Sequence, residues 1–173
     1  TTGDNLLITT AAGEEITIID HFRGKQYDLE QIEFVDGTVL DSQEIRDRTV
    51  SDMKSTGTVK GSDYSENYSH NTGDGSYTIT DFDIYGNSGT DTFTFNDVNA
   101  SDVTFEHGAS NDLIMTVTGG DTITINNHFD TDGDYALETV TFADGISLDS
   151  QGIRDRSVAD MKPGAVVTGS ELA

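Results

Sequence analysis

The chain repeats itself, and nothing else in the sequence constrains its fold as tightly. Residues 27–54 align without a gap to residues 135–162, with 18 of the 28 positions identical. Upstream, Asp4-Asn5-Leu6-Leu7-Ile8 recurs as Asn111-Asp112-Leu113-Ile114-Met115. Likewise Ile16-Thr17-Ile18-Ile19-Asp20-His21-Phe22 recurs as Ile123-Thr124-Ile125-Asn126-Asn127-His128-Phe129. The offset is 107 residues up to the Phe22/Phe129 pair and 108 after it, so the second copy carries one extra residue. Such a duplication means one supersecondary unit used twice, each copy needing mainly its neighbour to complete its core. Val59-Lys60-Gly61-Ser62 also returns as Val167-Thr168-Gly169-Ser170. The expected organisation is the C-terminal part of a first repeat over 1–58, a complete second repeat over 59–166 and the start of a third over 167–173. A single domain with two related halves is the alternative.

Inside each copy the patterning is that of short strands. Leu113-Ile114-Met115-Thr116-Val117 and Thr122-Ile123-Thr124-Ile125 read as a hairpin turning at Gly119-Gly120-Asp121, and Ala12-Gly13-Glu14 supplies the turn in the first copy. Ile32-Glu33-Phe34-Val35 and Val140-Thr141-Phe142-Ala143 are strands that run into Asp36-Gly37 and Asp144-Gly145, a dipeptide suited to tight reversal. Asp41 with Glu44 three residues on predicts a capping box opening a short helix, with Ile45, Val50 and Met53 facing the core. The second copy keeps Asp149, Ile153, Val158 and Met161 but has Gly152 where the Glu stood, which predicts a weaker cap. Tyr77-Thr78-Ile79-Thr80 and Phe93-Thr94-Phe95 alternate as half-buried strands do. The expected fold is all-β, with one short helix per repeat.

Charge narrows the function. Lys and Arg number 9 against 32 Asp and Glu, a formal net charge of −23. That balance repels nucleic-acid phosphate and anionic lipid, and it strains any compact state unless cations bind. There is no cysteine, which excludes disulfides and thiolate metal sites and leaves hard-oxygen cations as the available cross-links. A solvated acidic surface is the bland alternative. No apolar run approaches the roughly 20 residues of a membrane-spanning helix.

Three acidic stretches are candidate cation sites. Gly86-Asn87-Ser88-Gly89-Thr90-Asp91-Thr92-Phe93-Thr94 fits a nonapeptide in which Gly86 and Gly89 allow the turn, Asp91 supplies oxygen and Phe93 points inward. Residues 61–69 echo it upstream, with Glu66 and Tyr68 at the acid and apolar positions. The second stretch is Asp130-Thr131-Asp132-Gly133-Asp134 with Glu138, in which Asp130, Asp132 and Asp134 alternate around a glycine as in the first half of an EF-hand loop. Its first-copy counterpart, Arg23-Gly24-Lys25-Gln26, is basic, so a cation there adjusts one copy only. The third is Asp81 and Asp83, on one face of an extended segment, with Asp74. For each, a simple solvated turn is the competing reading.

Tyr68, Gly73-Asp74-Gly75, Ile79, Asp81-Phe82-Asp83, Gly89, Asp91, Phe93 and Phe95 together resemble the trailing part of an RTX (haemolysin-type) calcium-binding array. Asp102-Val103-Thr104-Phe105, Asn111-Asp112-Leu113, Gly120-Asp121 and Phe142-Ala143-Asp144-Gly145 resemble the haemolysin-type-associated domain that follows such arrays. The resemblance implies a parallel β-roll or a β-sandwich continuing one, type I secretion to the cell surface or medium, and folding that depends on calcium (Ca2+). Only one nonapeptide is close to intact, so a single ion near Asp91 is expected rather than a full ladder.

A catalytic reading finds little support. His21 and His128 are repeat equivalents, and duplication with their surroundings marks a structural residue; His70 and His107 are the other histidines. The sequence holds no Gly-x-Ser-x-Gly elbow, P-loop or His-Glu-x-x-His. The expected function is a non-catalytic, calcium-binding tandem module of an adhesin-like secreted protein, with neighbouring repeats of the same chain as partners. The rival is a polysaccharide-binding module that uses Tyr64, Tyr68, Tyr77 and Tyr85 as an aromatic platform; buried tyrosines would count against it.

Overall fold

The computed structural model describes residues 4–24, 26–81, 89–131 and 135–161. The chain divides into two compact units, 1–49 and 50–173.

In the first unit β1 (Leu6–Thr9) and β2 (Glu15–Ile18) form an antiparallel hairpin with Leu6 opposite Ile18 and Ile8 opposite Ile16. The reversal uses Gly13 at φ +82°, a left-handed conformation that costs glycine little. A second hairpin joins β3 (Gln31–Glu33) to β4 (Val39–Asp41) across Asp36-Gly37, where Asp36 Oδ1 accepts the Thr38 amide at 2.9 Å. Helix α1 (Ser42–Met53) follows at once. Its capping box is complete: Asp41 Oδ1 accepts the Glu44 amide at 2.9 Å, and Glu44 Oε2 accepts the Asp41 amide at 2.9 Å.

The second unit holds β5 (Thr58–Lys60), β6 (Asn67–His70), β7 (Tyr77–Thr80), β8 (Thr92–Phe95), β9 (Val103–His107), β10 (Leu113–Val117), β11 (Thr122–Ile125), β12 (Thr139–Thr141), β13 (Ser147–Asp149) and α2 (Ser150–Ala159). Up to β8 successive strands alternate between two sheets, ordered β5-β7-β11-β10-β9 and β13-β12-β8-β6. The chain therefore coils. β5, β7 and β11 run parallel with Val59, Ile79 and Ile125 in line, and β6, β8 and β12 run parallel with Tyr68, Phe93 and Val140 in line.

Every strand of this unit except β13 buries alternate residues, as period-two patterning requires. Tyr77 and Ile79, Phe93 and Phe95, Leu113 and Met115, and Ile123 and Ile125 all enter one apolar cluster. The Phe95 and Phe142 rings stack within it at 5.3 Å. At the outer edge, α2 anchors the β9 region. Arg156 donates to the carbonyls of Ala100 and Val103 at 3.2 and 2.8 Å, while Asp160 accepts the Phe105 amide at 3.0 Å. Bonding an edge strand to a helix leaves it less open to pairing with other chains.

Among the described residues the molecule is mostly β, with two short α-helices and several sheets, none closed. The larger sheets are mixed rather than wholly parallel, because β10 pairs antiparallel with β9 and β11 in one and β13 antiparallel with β12 in the other. The hairpins and helices anticipated from the duplication are present in both copies with matching register, Leu6 opposite Ile18 and Leu113 opposite Ile125. One expectation differs between copies: Val50 is buried, whereas its equivalent Val158 is exposed.

Candidate metal centre

The parallel register of the second unit sets an acid at the start of three adjacent strands. Asn67, Thr92 and Thr139 are in line, so the residues before them, Glu66, Asp91 and Glu138, form a row across the sheet end. Two of the three carboxylates accept the amide of the acid beside them. Asp91 Oδ1 takes the Glu66 N–H at 2.7 Å, and Glu138 Oε2 takes the Asp91 N–H at 2.6 Å. At the far end the Glu66 carboxylate takes the Ser62 amide at 3.3 Å and also the Ser62 hydroxyl.

Asp81, which directly follows β7, comes in from the other sheet. Its Oδ2 accepts the Tyr68 hydroxyl at 2.7 Å. Glu66, Asp81 and Asp91 are buried to within 2% exposure, and each offers an oxygen within 4.8 Å of the others. Burial first, and then the charges of Asp81, Glu66 and Asp91, hold the Tyr68 hydroxyl well above the usual tyrosine range, so it stays a donor. Burial also raises the Glu138 carboxyl, against the bond from the Asp91 amide.

Three anions this close oppose one another by about 3 kcal/mol per pair at an effective dielectric of 20. A dication inserted among them reverses the sign. Calcium sits 2.3–2.6 Å from its oxygens, so ligands of one ion lie no more than about 5 Å apart, and the cluster meets that limit. The donor set is hard oxygen throughout, as calcium prefers. The surrounding turns admit no bulk. A Cβ on Gly61 would overlap the Asp81 carboxylate and the Tyr68 hydroxyl, and one on Gly89 would lie 2.5 Å from the Ser65 nitrogen and the Tyr64 carbonyl carbon.

Of the residues singled out in the sequence, Asp91 and Asp81 are brought together here, and Gly89 packs against the preceding turn. Glu66, which the nonapeptide echo had set at the acid position, joins them; the equal spacing of Gly61–Glu66 and Gly86–Asp91 is the signal that points to it. Asp74 lies at the opposite end of β7 from Asp81, bound to Lys54 Nζ at 2.8 Å and to the Asn71 amide, so the grouping of Asp74 with Asp81 does not form. Glu138 is committed to the Asp91 amide, and Asp130 Oδ1 accepts the Thr131 amide. Gly86, Asp83, Asp132 and Asp134 lie outside the described residues.

His128 and His21 spend their Nδ1 atoms on loop amides, accepting from Leu137 at 3.1 Å and Leu29 at 3.0 Å. Tyr68 and Tyr77 are core residues, which removes two members of the supposed aromatic platform; Tyr85 lies outside the described residues.

Residues 5–44 and 112–151 each match the haemolysin-type calcium binding protein related domain. Two segments of the chain are thus similar to this family. The haemolysin-type segments are the duplicated ones: the first spans β1 to the start of α1, the second β10 to the start of α2. Glu66, Asp81 and Asp91 fall between them, whereas Glu138 belongs to the second haemolysin-type segment and carries the row of acids into it. No curated protein matches the chain.

Proposed function

We propose that the chain is a non-catalytic, calcium-binding tandem-repeat module, and that Glu66, Asp81 and Asp91 hold the ion. The observation that carries this reading is the burial of three carboxylates within 4.8 Å of one another at the ends of parallel strands. The family of the flanking segments favours calcium as the cation. Alternation of β5 to β8 between two sheets supports a short β-roll turn extended by antiparallel strands. Glu138 acts from outside the trio, orienting Asp91 through its amide.

Such a module suits a secreted or surface-exposed, adhesin-like protein exported by a type I route. Calcium is scarce inside cells and plentiful outside, so an acidic chain stays loose during export and orders on arrival. Among the described residues no helix is long and apolar enough to cross a membrane. The Asp130–Asp134 loop is a second, independent place for a cation.

Calorimetric titration of the metal-stripped chain with calcium tests the assignment. One binding event is expected to weaken at least tenfold in Glu66→Gln and to persist when Asp130, Asp132 and Asp134 are all changed to Asn. Unaltered binding in Glu66→Gln together with loss in the triple variant would move the ion to the loop.

A further inference from the structure

The two copies share a hairpin pair, but their surroundings differ. In the second unit, β7 pairs parallel with β11, β9 antiparallel with β10, and β8 parallel with β12. In the first unit the equivalent strands β2, β1 and β3 stand in two-stranded sheets, and among the described residues nothing pairs with their outer edges. Side chains follow suit. Ile16 is 54% exposed where its equivalent Ile123 is 0%, and Phe34 is 41% exposed where Phe142 is 5%. Ile8, Ile18 and Ile32 are half-buried where Met115, Ile125 and Val140 are fully enclosed.

An apolar, β-branched face with free edges is a template for strand addition. The second unit shows which sequence covers that face when it is covered. We propose that the β1–β2 and β3–β4 hairpins form a docking surface for the β7–β9 segment of another copy of the repeat, the copy that precedes this unit in a tandem array. This inference rests on the tandem reading of the chain. By equivalence, the incoming β7 lies parallel to β2 with its Tyr77 beside Ile16 and its Ile79 beside Ile18, as they lie beside Ile123 and Ile125. The incoming β8 sets Phe93 beside Ile32, and the incoming β9 pairs antiparallel with β1. Each unit is then closed by strands from the sequence before it, which makes the array continuous rather than beads on a string.

The test is an extended chain in which a copy of residues 58–110 is joined directly ahead of Asp4, the spacing that residues 58–110 have to Asn111. Amide hydrogen exchange of residues 15–19 and 31–34 is compared with that of 122–126 and 139–142 in the same molecule. Protection of the first pair of segments is expected to rise at least tenfold in the extended chain, and to fall back when Tyr77 and Ile79 of the added copy alone are changed to Asp. Unchanged exchange in the extended chain overturns the proposal, as does protection in the original chain that grows with protein concentration. Calcium titration of the same samples reports on the Glu66 cluster separately, so docking without a calcium response sinks only the metal assignment.

Discussion

An imidazole that accepts a backbone amide has to remain neutral to do so. His128 is 3% exposed and takes the Leu137 amide on Nδ1; burial first, then Arg154 and His107, lowers its pKa to about 3. His21 repeats the arrangement with Leu29, its pKa lowered by burial against the pull of Asp28. A pKa below the unfolded value means that the stabilisation is complete above about pH 6.5 and is lost as pH falls toward the folded pKa. For His128 the loss reaches about 2 kcal/mol by pH 5. Urea midpoints measured from pH 7.5 to 5 are expected to fall, and His128→Gln, which keeps an acceptor but does not titrate there, is expected to flatten the slope. Comparing the two chains cancels Glu138, whose raised pKa acts in the opposite direction. Gly61→Ala is the matching steric test: its Cβ meets the Asp81–Tyr68 pair, so a loss of about 2–4 kcal/mol on thermal unfolding and weaker calcium binding are expected together.

Among the elements, the helix starts separate what is local from what is not. Glu44→Ala removes half of the capping box of α1 and should cost up to about 1 kcal/mol in denaturant unfolding. Asp149→Ala removes the one side-chain bond of the weaker cap of α2, from the Gly152 amide, and should cost a similar amount. Caps and hairpins were legible in the sequence because their partners lie within a few residues, as with Asp41 and Glu44 or Asp36 and Thr38. The candidate metal centre was legible only in part. Asp91 stood out through its glycines, but the neighbours of its row lie 25 and 47 residues away, set by strand register rather than by motif. Sequence proximity therefore grouped Glu138 with Asp130, whereas parallel pairing of β8 and β12 sets its carboxylate on the Asp91 amide. Asp74 and Asp81 were grouped for the same reason, and the length of β7 separates them.

On the scale of the whole molecule, the proposed cation answers only part of the −23 charge. Surface carboxylates repel through water, and salt at physiological strength screens them beyond about 8 Å. Glu66, Asp81 and Asp91 are different, being buried and within 4.8 Å of one another, where mobile ions hardly reach. Sodium chloride should therefore raise the melting temperature of the metal-stripped chain modestly and then saturate. Calcium should add a separate increment, about 2.7 kcal/mol at a hundredfold excess over its Kd. Asp91→Asn makes the distinction sharp, because the amide oxygen can still accept the Glu66 N–H while one of three like charges is gone. With chelator present the variant is expected to melt above the parent chain, since repulsion is relieved. With calcium saturating it is expected to melt below, since a ligand is lost. The two melting curves must change order between the two conditions; an Asp91→Asn chain that is less stable in both would mean that the carboxylate serves the fold through its hydrogen bond and not through a cation.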